Sequence, residues 1–347
     1  MTNKVVIFKN DRIGDLILSA QSVKLIIEKN KDKEVILYLS EINYKMKFLF
    51  NDKNVKIILV DYKLSLKNRI EILHFFLRTN ISKVYVLRPK NFFFILPIIF
   101  YYKKTEFFGF CINGVKNYRR PNIFFRKFLS KFVINDRSTI KKRVSRERLH
   151  LNLVDEKSKN DFFLKINNYK ISNTLKKILP KNYLLIHYKK QIFEELGWGV
   201  EGLNKIMNEL LNYYPKIVLI NDIEPSDDNM IFKKKYTWYD FKRGISGYND
   251  PNILYLENIE GLDFFNVIRL SKKTIACHGT ITLIGYIAKT SILDLFYCKI
   301  RNNNDYYRYK NSFHEHVPYN KNYNFIIPKK DLDKTINRIK FYFKNEK

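Results

Sequence analysis

The feature that most constrains this chain is a repeated exchange between two hydrophobic patterns. Short apolar runs, KVVIFKN (4–10), EVILYL (34–39), VKIILV (55–60) and ISKVYVL (81–87), alternate with stretches of helical period at 14–29, 41–50 and 65–78. In the first of these, Ile17, Leu18, Val23, Ile26 and Ile27 fall on the inward face. A run without polar alternation belongs to a strand covered on both sides, and strands separated by helices of this length pair in parallel. The expectation is therefore an α/β fold with a doubly wound parallel sheet.

The alternation is lost after Lys90 and becomes Lys-rich and irregular between about 134 and 182, which reads as a domain boundary. It then resumes. YLLIHY (183–188), KIVLIN (216–221), ILYL (253–256), KTIACH (273–278) and SILDLF (291–296) are strand candidates, with helices expected at 201–213, 261–270, 280–288 and 332–343. The reading is two Rossmann-like doubly wound domains, 1–165 and 182–328, facing a central cleft, with a terminal helix in 329–347. Ligands of such domains bind at the carboxyl ends of the strands.

Composition narrows the classes. With 46% hydrophobic and 28% charged residues the chain has the balance of a globular protein, not a disordered one. The longest apolar run, 92–100, is interrupted by Pro97 and falls short of the ~20 residues that span a bilayer. MTNKVVIFKNDRIGD does not read as a signal peptide. Cys111, Cys277 and Cys298 have neither disulfide-framework nor zinc spacing, which suits a reducing cytoplasm. The net charge of +30 is uneven, because residues 88–150 hold 16 basic and 3 acidic side chains. That concentration points to an anionic partner such as an acidic lipid, a phosphorylated glycan or nucleic acid. A solvated surface on a Lys-, Asn- and Ile-rich chain is the competing explanation.

Chemistry is most sharply suggested at the first strand–helix junction, FKNDRIGDLILSAQSV. A helix starting at Gly14–Asp15 soon after a buried strand presents free backbone N–H groups at the strand ends. Asp15 stands in its first turn. The structural alternative is that Asp15 offsets the helix dipole while Asp11 or Asn10 caps the turn.

The pattern strand–x–R–x–G–D–[LV]–[IL]–L, here carrying Arg12, Gly14 and Asp15, resembles the opening of glycosyltransferase family 9, the heptosyltransferase-like enzymes. The resemblance implies the two-domain GT-B fold. It also implies inverting transfer of a heptose-like sugar from a nucleotide-diphosphate donor to a lipopolysaccharide-type acceptor, with Asp15 as general base. A second block, GLDFFNVIRLSKKTIACHGTITLIGYIAKTSILDLF, has the family's helix–strand–loop–helix–strand layout. Where the family reads D-[ST]-G-x-x-H, this chain reads Cys277, His278, Gly279, Thr280, Ile281 and Thr282, so only the glycine is kept. Gly279 and Thr280 at a helix start retain the means to bind a diphosphate, and His278 adds a donor. In HYKKQIFEELGWGVEG the family's basic residue before Trp198 is replaced by Leu196, which leaves Lys189 or Lys190 to supply the charge. Glu224, with Asp222 as rival, is placed to accept from a donor ribose.

Other patterns carry less. GWGVEG (197–202) matches a dinucleotide fingerprint but stands eight residues from its strand. Asp331 and Asp333 imitate a metal-binding DxD but open a helix, and His314-Glu315-His316 lacks a third ligand. No metal or other cofactor is expected. PKNFFFILPIIFYYKK (89–104) and the basic stretch after it suit a peripheral site on the inner face of the cytoplasmic membrane, with the anionic surface and an anionic glycolipid acceptor as partners. No nucleic-acid motif is present, so none is expected as a partner. The alternatives carried forward are a non-catalytic nucleotide-sugar-binding paralogue and a basic nucleic-acid-binding protein.

Overall fold

In the computed structural model, which describes residues 3–112, 122–136, 138, 139, 142, 144–154, 169–221, 226–297 and 322–345, the chain divides into two compact units near residue 165. Strands of the first unit are β1 (Lys4–Phe8), β2 (Val35–Ser40), β3 (Val55–Val60), β4 (Ile81–Val86), β5 (Glu106–Ile112) and β6 (Lys131–Asn135). They form one fully parallel sheet in the order β3-β2-β1-β4-β5-β6. Its helices are α1 (Ile13–Lys29), α2 (Leu66–Arg78), α3 (Asn91–Ile99), α4 (Asn122–Phe125) and α5 (Arg146–Val154).

The apolar runs account for this directly. Val5, Val6, Ile7 and Phe8 are fully buried, because β1 lies mid-sheet with both faces covered. Each such side chain contributes about 1.5–3 kcal/mol on burial. Phe8 stacks on Tyr38 and Phe93, with ring centroids 4.9 and 4.2 Å away, so the first strand, its neighbour and α3 share one core. Phe93, Phe94, Leu96 and Pro97 of the aromatic block are buried, whereas Ile95, Ile99 and Tyr101 are exposed.

Two local expectations are corrected. Residues 41–50 hold a 3-10 helix, Tyr44–Phe50, and the sheet continues past Lys90 through β5 and β6. Gly109, which breaks the look of a strand in EFFGFCI, leaves room for the Leu129 side chain. A Cβ there would meet Leu129 Cδ1 at 2.5 Å.

Strands of the second unit are β7 (Leu184–Tyr188), β8 (Ile217–Asn221), β9 (Tyr236–Asp240), β10 (Ile245–Gly247), β11 (Asp250–Glu257), β12 (Lys273–Cys277), β13 (Ser291–Leu295) and β14 (Tyr323–Ile326). Their order is β10-β9-β11-β8-β7-β12-β13-β14, parallel except where β10 meets β9. Its helices are α6 (Asn173–Ile178), α7 (Lys190–Glu195), α8 (Gly199–Leu211), α9 (Asp228–Lys235), α10 (Gly261–Leu270), α11 (Thr280–Ile287) and α12 (Leu332–Asn345). Ile336, Ile339 and Phe343 place α12 in the same core as Leu210 and Ile217, so the terminal helix is an integral layer of this unit. The unit also begins upstream of 182. Asn266 Nδ2 donates to the Lys170 carbonyl at 3.0 Å, which ties the segment before α6 to α10.

In each sheet the strand order reverses beside the first strand of the unit, between β1 and β4 in one and between β7 and β12 in the other. These topological switch points leave crevices at the carboxyl ends of the strands, where open α/β sheets bind ligands. Among the described residues, no helix is long and apolar enough to cross a membrane.

Candidate functional site

The first switch point gathers side chains that are distant in sequence. Asn43 Nδ2 donates to the Lys9 carbonyl at 2.8 Å, and Ser40 Oγ donates to the Asp11 carbonyl at 2.7 Å, so the end of β2 fixes the loop that follows β1. That loop feeds α1, whose first turn carries Asp15. Arg146, at the start of α5, reaches it with Nη1 3.4 Å from Asp15 Oδ1. The Asp15 side chain is 36% exposed and that of Arg146 only 12%, so the cation is built in and the carboxylate faces outward. α1 packs against α5, which brings the two together.

Asp15 and Arg146 line a cavity of about 140 Å³ with Lys9, Asp11, Arg88 and Lys90. Lys9 Nζ lies 2.7 Å from Asp11 Oδ2, both side chains nearly without solvent. Burial pushes Asp11 up to about 6 against the pull of Lys9, and the Asp15 charge adds to the rise. The Arg88 guanidinium stacks 4.2 Å from the centroid of the Tyr62 ring, and Lys90 Nζ donates to the Tyr62 carbonyl. Burial, with Arg88 and Arg69 adding repulsion, lowers Lys90 to about 8. His150, in the cavity wall, is held well below the usual imidazole range by burial and then by the Lys9 and Arg146 cations. The ring is therefore neutral. Four cations against two carboxylates make this a site for an anionic group beside a carboxylate.

At the second switch point β12 pairs with β7 up to Ile275 and Ile186, and His278 and Lys189 are the first residues past the ends of those two strands. His278 Nδ1 lies 2.6 Å from Oδ2 of the fully buried Asp294, and its ring meets Phe296 edge-on at 4.3 Å. Gly279 stands at φ +154° and ψ −145°, a conformation open to glycine alone, and α11 starts from it. The first N–H groups of that helix have no partner within it and are available to an anion.

The residues named from sequence thus separate. Asp15 lies in the first cavity, but Arg12 and Gly14 are not among the residues lining it, and Arg12 is exposed at the N-cap of α1. Lys189, His278, Gly279 and Thr280 gather around the end of β7 and the start of α11. Lys190 is drawn aside to Glu194 and Asp228, each at 3.7 Å. Glu224 and Asp222 lie outside the described residues, as do His314-Glu315-His316. GWGVEG ends the turn after α7 and makes the first turn of α8, so it is not a strand-to-helix loop. Asp331 caps α12, its Oδ1 accepting from the Lys334 N–H at 3.1 Å. Arg88, Lys90 and Arg146 belong to the basic stretch 88–150, yet line an internal cavity; Arg88 is 7% exposed. For Arg88 and Lys90 the signal was positional, since they lie two and four residues past the end of β4, which adjoins β1.

No protein-family model and no curated protein matches the chain. Solved structures do, through the fold. The glycosyltransferase family 9 protein of Veillonella parvula DSM 2008 has 14% sequence identity and a TM-score of 0.60, over 99% of this chain and 89% of that one. E. coli heptosyltransferase WaaC, solved with ADP-2-deoxy-2-fluoro heptose, has 12% identity and a TM-score of 0.65, over 99% of this chain and 100% of that one. The UDP-GlcNAc 2-epimerase of Methanocaldococcus jannaschii has 12% identity and a TM-score of 0.55, over 100% and 94%. The chain therefore has the GT-B fold, two Rossmann-like units in tandem. It shares that fold with glycosyltransferase family 9 heptosyltransferases and with nucleotide-sugar epimerases.

Proposed function

We propose that the chain is an inverting glycosyltransferase that takes a sugar from a nucleotide-diphosphate donor, with Asp15 as general base. The observation that carries this is the outward-facing Asp15 carboxylate, oriented by Arg146, in a cavity otherwise rich in cations. An acceptor hydroxyl seated against Asp15 loses its proton to the carboxylate as its oxygen attacks the anomeric carbon of the donor. The C–O bond to the diphosphate breaks on the opposite face. In the second unit Lys189, His278 and the N-terminus of α11 at Gly279 and Thr280 suit the charge of a donor diphosphate without a metal. Arg88, Lys90 and Arg146 suit an acceptor with an acidic group near the reacting hydroxyl, as in an anionic lipopolysaccharide-type glycolipid. A heptose-like sugar fits the WaaC likeness, and the protein works at the cytoplasmic face of an anionic membrane that the basic stretch 88–150 attracts.

Transfer and epimerisation share this fold, so the test must separate them. The protein is incubated with ADP- and UDP-sugars with and without a glycolipid acceptor, and nucleoside diphosphate and sugar are followed together. Acceptor-dependent release of diphosphate is expected. A change in the sugar that needs no acceptor overturns the reading in favour of an epimerase. Salt-steep binding to DNA without nucleotide-sugar binding overturns it in favour of a nucleic-acid protein.

A further inference from the structure

The strand β13 reads SILDL, and its polar residue is anomalous. Asp294 is fully buried among apolar neighbours, in a unit where a Leu would pack at lower cost. Its Oδ2 takes two short hydrogen bonds, one with His278 Nδ1 and one from Tyr323 Oη, each 2.6 Å. Its Oδ1 is buried and has no hydrogen-bond partner among the described residues. A carboxylate left half-satisfied inside a sheet is a poor device for stability. It is an effective one for holding a ring. The acceptor at Nδ1 fixes the tautomer with its proton on Nδ1 and leaves Nε2 on the far side. Phe296, edge-on at 4.3 Å, blocks rotation out of that plane. The His278 side chain is 25% exposed, one residue before the α11 N-terminus.

We infer that Asp294 and Tyr323 are positioning residues that aim His278 Nε2 at a diphosphate oxygen seated on the start of α11. This rests on the donor assignment above and adds a side-chain contact to it. The β12 strand supplies the loop, β13 the carboxylate and β14 the tyrosine. The pairings Ala276 with Asp294 and Asp294 with Phe325 run across all three, so the arrangement is fixed by sheet register. With Nδ1–H held by the buried carboxylate, Nε2 is the ring nitrogen left to face a phosphate oxygen, and it donates there when it carries a proton.

The test uses the full chain labelled with ¹⁵N-histidine, titrated with inorganic pyrophosphate, ADP and UDP. In the free protein, His278 is expected as the Nδ1–H tautomer, and its Nε2 resonance is expected to move on adding pyrophosphate and at least one of the nucleotides. His278→Gln should weaken diphosphate binding roughly tenfold, with AMP or UMP binding little changed. Asp294→Asn and Tyr323→Phe should weaken it severalfold and shift the ring toward the mixed tautomers of a free imidazole. Tyr323→Phe keeps the packing, so it remains informative if Asp294→Asn does not fold. A wild-type ring in the opposite tautomer, or unchanged diphosphate affinity in His278→Gln, overturns the inference while leaving glycosyl transfer intact. A ring that responds to pyrophosphate but to neither nucleotide supports the anion contact and removes the donor assignment instead. A ring that responds to none of the three overturns the contact.

Discussion

Arg146 Nη1 sits 3.4 Å from Asp15 Oδ1 across 131 residues of sequence, and it is the less exposed of the two. The cation is thus part of the scaffold and the carboxylate the part it presents. Arg146→Met removes the contact and leaves Asp15 free to rotate. Misplacing a reacting group costs up to roughly 10²-fold, so turnover should fall about 10–100-fold. Steady-state kinetics with Arg146→Lys alongside will check this. Partial rescue of kcat by Lys is the expected sign of orientation by charge.

Asp15 itself separates the chemical role from the structural one. Asp15→Asn preserves shape and some interaction with the helix N-terminus but cannot take the acceptor proton. Turnover should fall roughly 10²–10⁴-fold with donor affinity nearly unchanged. If Asp15 only balanced the α1 dipole, the variant would keep its activity and lose about 0.3–1 kcal/mol of stability. Transfer rate and melting temperature measured on the same preparation decide between these.

How much of this was legible depends on how local each feature is. β1 and the start of α1 could be read because an unbroken buried run is followed at once by a helical period, and Asp15 came with them. Arg146 could not, since in sequence it is one more base in a stretch of 16, and only the packing of α5 on α1 gives it a partner. β5 and β6 were hidden by Gly109 and by flanking lysines, whereas the fold uses that glycine to admit Leu129. Asp294 was passed over because SILDLF reads as an apolar strand, and its partner Tyr323 lies 29 residues on. The departure of the 277–282 loop from the family motif was plain. The hydrogen bonds that link His278 to Asp294 of β13 and Asp294 to Tyr323 of β14 were not.

The membrane reading has its own test. Arg119, Arg120 and Lys141 lie outside the described residues, and Lys142 is exposed. Reversing all four charges should weaken binding to vesicles containing anionic lipid, by about 1 kcal/mol for each residue that sits near the surface. Added salt should mimic the loss. Sedimentation with anionic and neutral vesicles measures it, and binding indifferent to both charge reversal and salt would return these residues to a solvated surface.

Gly279→Ala probes the loop without adding bulk or charge. A Cβ there has open space, its nearest neighbour being the Cys277 carbonyl oxygen at 3.9 Å, so any effect comes from the backbone. At φ +154° an alanine is strained by about 1–3 kcal/mol, and relaxing that strain turns the first N–H groups of α11 away from their common target. Calorimetry should find weaker nucleoside diphosphate binding together with a lower melting temperature. A lower melting temperature with unchanged affinity would place the phosphates elsewhere.

Asp11 makes a prediction about pH whose direction follows from its burial. Its folded value near 6 lies above the ordinary 3.8, so between those values the folded chain holds a proton that the unfolded chain has released. The folded state then binds more protons, and stability falls as pH rises through that window, by up to about 3 kcal/mol once Asp11 is ionised in both states. Asp11→Asn cannot titrate and lacks this component, while the carboxylates other than its coupled neighbour Asp15 contribute to both proteins alike. Wild-type stability minus that of the variant should therefore decline between pH 4 and pH 7, as read by urea unfolding at unit intervals. A flat difference would mean that Lys9, 2.7 Å away, keeps Asp11 ionised throughout and that its attraction outweighs the cost of burial.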